Sequence, residues 1–252
     1  MPRGLTCPGW NCLQRPRVLS LPNQRFAGYR IRPMTTTIGQ ALARSRPRKL
    51  FAVLAALAVV AADMAIVRSW ESLSGYRWIP PLAALAALWS IAGGDRASLG
   101  LSFRPAQGWK YWIVATVAVG AIVAAFSLAV LGIGGFLGWE LPVYRRDPAS
   151  LASALVPMCL AAPVLEELTY RLAVCVPLAA LVGPGWTIVA SGAVFAAVHF
   201  AGGNAGPDNF IAGYILAWAY LKSGSFFLPV LLHALGNLCV LLAQVAAWYL
   251  LA

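Results

Sequence analysis

Beyond residue 49 the chain alternates long apolar blocks with short polar breaks. The blocks fall at roughly 50–67 (LFAVLAALAVVAADMAIV), 78–94, 111–138, 150–165, 172–182, 186–200 (WTIVASGAVFAAVHF), 209–221 and 226–251. An apolar stretch of about 20 residues spans the hydrocarbon core of a bilayer as a helix. The pattern therefore predicts an all-α, polytopic membrane helical bundle of seven to eight transmembrane helices. Segment 172–182 is the weakest, being short and interrupted by Pro177.

Composition agrees. Of 252 residues, 60% are hydrophobic and only 11% are charged, against about 25% charged in soluble domains. Mean hydropathy is +0.74. Too few charges remain to cover a water-facing surface, so a soluble globular domain is excluded.

The net charge of +11 is not spread evenly. Ten of the 19 Lys and Arg lie in residues 1–49, and no acidic residue occurs before Asp63. The division expected is a basic, disordered cytoplasmic tail at 1–49, transmembrane helices at 50–149, and a polar-motif core at 150–252. Met34 offers an alternative start within the tail. Nucleic acid is not an expected partner; membrane lipid is. Positive-inside bias sets the N-terminus and the loop at 95–110 in the cytoplasm, and the charge-balanced loop at 140–149 outside. The helix beginning at 150 then runs inward, so its end at 166–171 is expected near the cytoplasmic side. These readings describe a multi-pass integral membrane protein with a cytoplasmic N-terminus.

Other features change little. Trp78, Trp112, Trp139, Trp186 and Trp248 fall near span ends, as interfacial anchors do. Cys7 and Cys12 lie in the tail, and Cys159, Cys175 and Cys239 lie in apolar runs, which suits free buried thiols. Asp63 is alone in the first span and is expected to pair locally. GGNAGPDN at 202–209 makes a turn, or gates a substrate.

Ionisable groups at membrane depth are costly and usually functional. The only two histidines, His199 and His233, both lie in or at the end of apolar blocks. Residues four apart share a helix face, which pairs Glu167 with Arg171, Phe195 with His199 and His233 with Asn237. Glu166 points about 100° from Glu167 on a helix of 3.6 residues per turn. A carboxylate beside an imidazole can deprotonate water, and an imidazole beside an amide can stabilise an oxyanion. Two histidines and a glutamate could instead bind zinc, with a further glutamate as base, although no HExxH is present. Taken singly, Glu167–Arg171 reads as a structural ion pair and Asn237 as interhelical glue.

Three motifs in order, EELTYR at 166–171, FAAVH at 195–199 and HALGN at 233–237, resemble those of the CPBP family. That group includes type II CAAX prenyl endopeptidases and bacteriocin-processing or immunity relatives. The resemblance covers about 150–240 and implies an intramembrane endopeptidase acting on a protein or peptide that is lipidated or membrane-anchored. It implies Glu166 as general base, His199 as its assistant, and His233 with Asn237 as oxyanion donors. Glu167, Arg171 and Phe195 would support the site. No cofactor is expected, with zinc the alternative. A non-catalytic immunity or scaffold protein and an ion-coupled transporter are the rival readings.

Overall fold

A computed structural model of the chain describes residues 25–26, 29–30, 37–138, 144–204 and 206–250. It divides into two units, Met1–Thr35 and Thr36–Ala252. In the first, Arg25–Phe26 pairs antiparallel with Tyr29–Arg30. Of the tail expected to be disordered over 1–49, the part from residue 37 is ordered: Gln40–Ala43 is helical and buries Ala41 and Leu42. The start at Met34, Cys7, Cys12, Trp139 and Glu140 lie outside the described residues.

The second unit is a helical membrane bundle. Helix α1 is Arg46–Arg68, α2 Ile79–Ala92, α3 Trp109–Phe136, α6 Pro207–Ser223 and α7 Phe227–Leu250. Between α3 and α6 one long helical track runs to Ala201, broken at Gly183 (φ 79°, ψ 172°) into α4 (151–182) and α5 (184–201). Gly183 accepts the positive φ without a Cβ clash, and Pro184 restarts a helix well because its φ is preset. Arg46–Arg68, Trp109–Phe136, Pro148–Ala201 and Phe227–Leu250 are each long and apolar enough to cross a membrane.

Two boundaries differ from expectation. Helix α1 begins at Arg46 rather than 50, because Ser45 caps it by accepting from the Arg48 amide and Pro47 follows in the first turn. Segments 150–165 and 172–182 are one helix, since the charged hexapeptide between them is itself helical. EELTYR thus lies within α4 rather than at its end.

Helix α4 is irregular in two stretches. Pro157–Ala161 and Leu168–Cys175 are wide π turns, a form frequent at functional sites. Helix α3 shows its apolar residues outward along its length, with Ile113, Val117, Ile122 and Leu128 more than 60% exposed. Such a face belongs against lipid. Its first turn is the exception. Trp112 is buried against Ala219 and Leu228, and its indole donates to Gln107 Oε1 at 3.2 Å. It is a core residue, not the interfacial anchor expected. Cys239, on α7, is exposed rather than buried.

Helices α5 and α6 pack closely through small residues, as membrane helices do. A Cβ on Gly213 would lie 2.9 Å from the Gly192 carbonyl and 3.0 Å from Phe195 Cβ. Gly213→Ala is expected to cost roughly 1–3 kcal/mol through overpacking. A lowered midpoint in detergent-solubilised thermal unfolding checks this; an unchanged midpoint contradicts the packing.

Candidate active site

Polar residues of α4, α5 and α7, with Arg77 from the segment before α2, converge on one cavity of about 600 Å³, lined by Arg77, Glu166, His199, His233 and Asn237 among others. Each helix contributes side chains through its own spacing. On α4, Glu167 and Arg171 stand one turn apart, and Arg171 Nε lies 2.7 Å from Glu167 Oε2. That approach is off the N–H axis, so it is an ion pair rather than a hydrogen bond. Arg171 Nη2 reaches Glu167 Oε1 at 3.5 Å, and Nη1 donates to Ser191 Oγ at 3.1 Å. Both charged residues are fully buried.

Glu167 also fixes a histidine. His233 Nδ1 lies 2.9 Å from Glu167 Oε1. A carboxylate only accepts, so Nδ1 carries the proton and Nε2 is directed elsewhere. His199 is arranged in the same way on α5. Its Nδ1 lies 3.0 Å from the Phe195 carbonyl, again an acceptor, and its Nε2 is left facing the cavity. Both Nε2 atoms approach one oxygen: Glu166 Oε2 lies 3.6 Å from His199 Nε2 and 3.8 Å from His233 Nε2. These separations are too long for direct hydrogen bonds. Glu166 is 7% exposed and its Oε2 makes no hydrogen bond.

Phe195 holds the two imidazoles in place. Its ring stacks on His199 at 4.2 Å, meets His233 edge-on at 6.0 Å, and lies 5.4 Å from the Arg171 guanidinium.

Asn237 has a local reason for its place. Within the first π turn, the Ala162 amide bonds the Pro157 carbonyl. The next donor in that register would serve Met158, but it belongs to Pro163, which has none. Asn237 Nδ2 supplies the missing bond, donating to the Met158 carbonyl at 2.7 Å. One amide hydrogen then remains for the cavity, which Asn237 also lines.

The structure thus brings together Glu166, Glu167, Arg171, Phe195, His199, His233 and Asn237, drawn from three helices. It also adds residues that the motifs do not reveal. Asp63 is 3% exposed and receives the Tyr170 hydroxyl at 2.6 Å and Arg77 Nε at 2.7 Å. Arg77 Nη1 lies 3.7 Å from Glu166 Oε1. Burial works against the Arg77 charge, but the hydrogen bond to Asp63 and the charges of Glu166 and Asp63 outweigh it, raising its pKa above the usual arginine value. A lone acid in an apolar span needs a counter-ion. Following Asp63 to the few cations near it in sequence would have found Arg77. From the stretch expected to form a turn, Asn204 lies outside the helices whereas Asp208 is already in the first turn of α6; both line the cavity.

Among the described residues, no group of three or more His, Cys, Asp or Glu is arranged to hold a metal ion. The imidazole Nδ1 atoms are committed to Glu167 and to a backbone carbonyl, so only the Nε2 atoms and Glu166 remain as donors.

A family model described as type II CAAX prenyl endopeptidase Rce1-like matches residues 148–239. The matched segment contains every motif residue named above and excludes Asp63 and Arg77. No curated protein and no solved structure matches the chain.

Proposed function

We propose that the Rce1-like domain of this CPBP-family intramembrane protease, residues 148–239, hydrolyses its substrate with water activated by Glu166. The carrying observation is that Glu166 Oε2 is buried and unbonded and faces the Nε2 atoms of His199 and His233, while each Nδ1 is held by another acceptor.

Charge balance supports the assignment of roles. The cluster holds three carboxylates, Asp63, Glu166 and Glu167, and two guanidiniums, Arg77 and Arg171. One net negative charge in a buried site is costly. A proton on His233, which stands between Glu166 and Glu167, neutralises it and makes both ring nitrogens donors. Nδ1 then donates to Glu167 and Nε2 points into the cavity.

In the first step Glu166 takes a proton from a water molecule, and the hydroxide oxygen attacks the carbonyl carbon of the scissile peptide bond. His199 Nε2, unprotonated in its neutral form, holds the second hydrogen of that water. The carbonyl oxygen becomes an oxyanion that receives the His233 Nε2–H and the remaining Asn237 amide hydrogen. Such donors serve best when fixed before the charge develops. Phe195, Glu167 and Met158 fix them here. Glu166 then returns its proton to the leaving amine, the C–N bond breaks, and the carboxylic acid formed gives its remaining proton to the amine, so the products are a carboxylate and an ammonium. No residue is altered over the cycle.

The route needs no metal, because Glu166, His199, His233 and Asn237 together supply a base for water and donors for the oxyanion. Cleavage of a membrane-anchored reporter by the purified protein is expected to proceed undiminished in excess chelator. Loss of cleavage with chelator and its return with zinc would overturn the metal-free mechanism.

A further inference from the structure

The bundle has two ends, and the cavity opens at one of them. One end gathers the start of α1, the loop at 93–108, the Gly183 break and the turn at 224–226. It is tied together by Gly39 N to Ser98 O, Tyr220 Oη to Leu99 O and Ala106 N to Ser223 O. The other end gathers the segments at 69–78 and 144–150, the turn at 202–206 and the end of α7, where Arg146 Nε donates to Gln244 Oε1. The cavity is lined from this second end by Ser74, Arg77, Tyr144, Asn204, Asp208 and Gln244. His199 stands two residues before α5 ends at Ala201, so the reacting groups are near that opening.

The two ends differ in charge. The first carries Arg44, Arg46, Arg48, Lys49, Arg96, Arg104, Lys110 and Lys222 against the single acid Asp95. The second carries Arg68, Arg77, Arg145 and Arg146, of which Arg77 is turned inward onto Asp63, and it holds Asp147 and Asp208 as well. Lys and Arg in short loops remain on the cytoplasmic side. The first end is therefore cytoplasmic, and the cavity faces away from the cytoplasm. A cytoplasmic opening follows only if α4 ends near residue 171; the helix continues to 182, and the site instead joins the end at which α4 begins.

Resting on the protease reading, we propose that the substrate is a translocated, membrane-anchored polypeptide cut at the extracytoplasmic interface. A lipid-modified C-terminus made in the cytoplasm would meet the closed end of this bundle. The wall chemistry suits an extended peptide. Asn204, Asn209, Asn237 and Gln244 offer amide donors and acceptors to a main chain leaving water, while Trp78 stands at the rim. Main-chain groups withdrawn from water need such partners.

Single cysteines placed at Asn204 and Ala106 test this in the full chain. Both positions are exposed, and they lie at opposite ends. A membrane-impermeant maleimide applied to spheroplasts is expected to label Asn204→Cys above the parent chain and to label Ala106→Cys only in inside-out vesicles. Labelling of Ala106→Cys in spheroplasts, or of Asn204→Cys only in inside-out vesicles or in neither preparation, would overturn the proposal. Alkaline phosphatase fused after residue 252 provides a readout without substitution in the bundle. Activity is expected, because α7 runs toward the cavity end, and an inactive fusion that accumulates in the membrane contradicts it. Both experiments read topology without turnover. Reversed labelling in a proteolytically active chain would defeat this inference alone, and an inactive chain with the expected labelling would defeat the protease reading alone.

Discussion

Arg171→Ala is expected to lose a large part of the protein's stability, about 3–5 kcal/mol, the usual cost of stripping one partner from a buried ion pair. Net folding stabilities are only about 5–15 kcal/mol, so the variant should accumulate poorly and aggregate on mild heating in detergent. The reason is local. Arg171 and Glu167 are both fully buried, and the guanidinium also donates to Ser191 and lies by the Phe195 ring. Removing it leaves the Glu167 carboxylate charged in an apolar interior. Arg171→Lys should recover little, since an ammonium cannot span Glu167 and Ser191 as a planar fork does. Replacing the pair together, with Glu167→Gln and Arg171→Met, removes both charges and should regain part of the stability without regaining activity. If the double variant is as unstable as Arg171→Ala, the uncompensated charge is not the cause.

Glu166→Gln should have the opposite profile, an inactive protein that still folds. Glu166 takes no part in the Glu167–Arg171 pair, and its Oε2 is already without a hydrogen bond. The amide has the same volume and still reaches toward Arg77. It cannot accept a proton from water, and general-base catalysis is worth about 100- to 10,000-fold in rate. A fall of that order, with an unchanged thermal midpoint, separates the base from the brace. Adjacent carboxylates in EELTYR thus differ because a helix turns them apart: one faces arginine and is sealed, the other faces two imidazoles and the cavity.

Much of this site is legible in the sequence because helical spacing is local. Glu167 with Arg171, Phe195 with His199 and His233 with Asn237 are each one turn apart, and membrane burial forces such polar faces together. What crosses between helices is harder to read. Arg77 reaches Glu166 from the far side of a loop, and its only announcement is the lone Asp63. The Asn237–Met158 bond depends on a π turn and on Pro163 at one register position, neither of which periodicity reveals. The fold class followed from hydropathy, whereas the ends of the spans did not. Ser45 and Pro47 start α1 inside a run of arginines that hydropathy counts as tail. The continuation of α4 through EELTYR was hidden because its charges are paired internally, so a strip that reads as a break is helix. With that continuation the cavity joins the end of the bundle at which α4 begins.

The most direct measurement is single-turnover cleavage of a membrane-anchored reporter by purified wild type and Glu166→Gln protein, side by side in chelator. Wild type should cleave, and the variant should be slower by about 100-fold or more while eluting as the same folded species. A variant that cleaves at the wild-type rate would contradict the account.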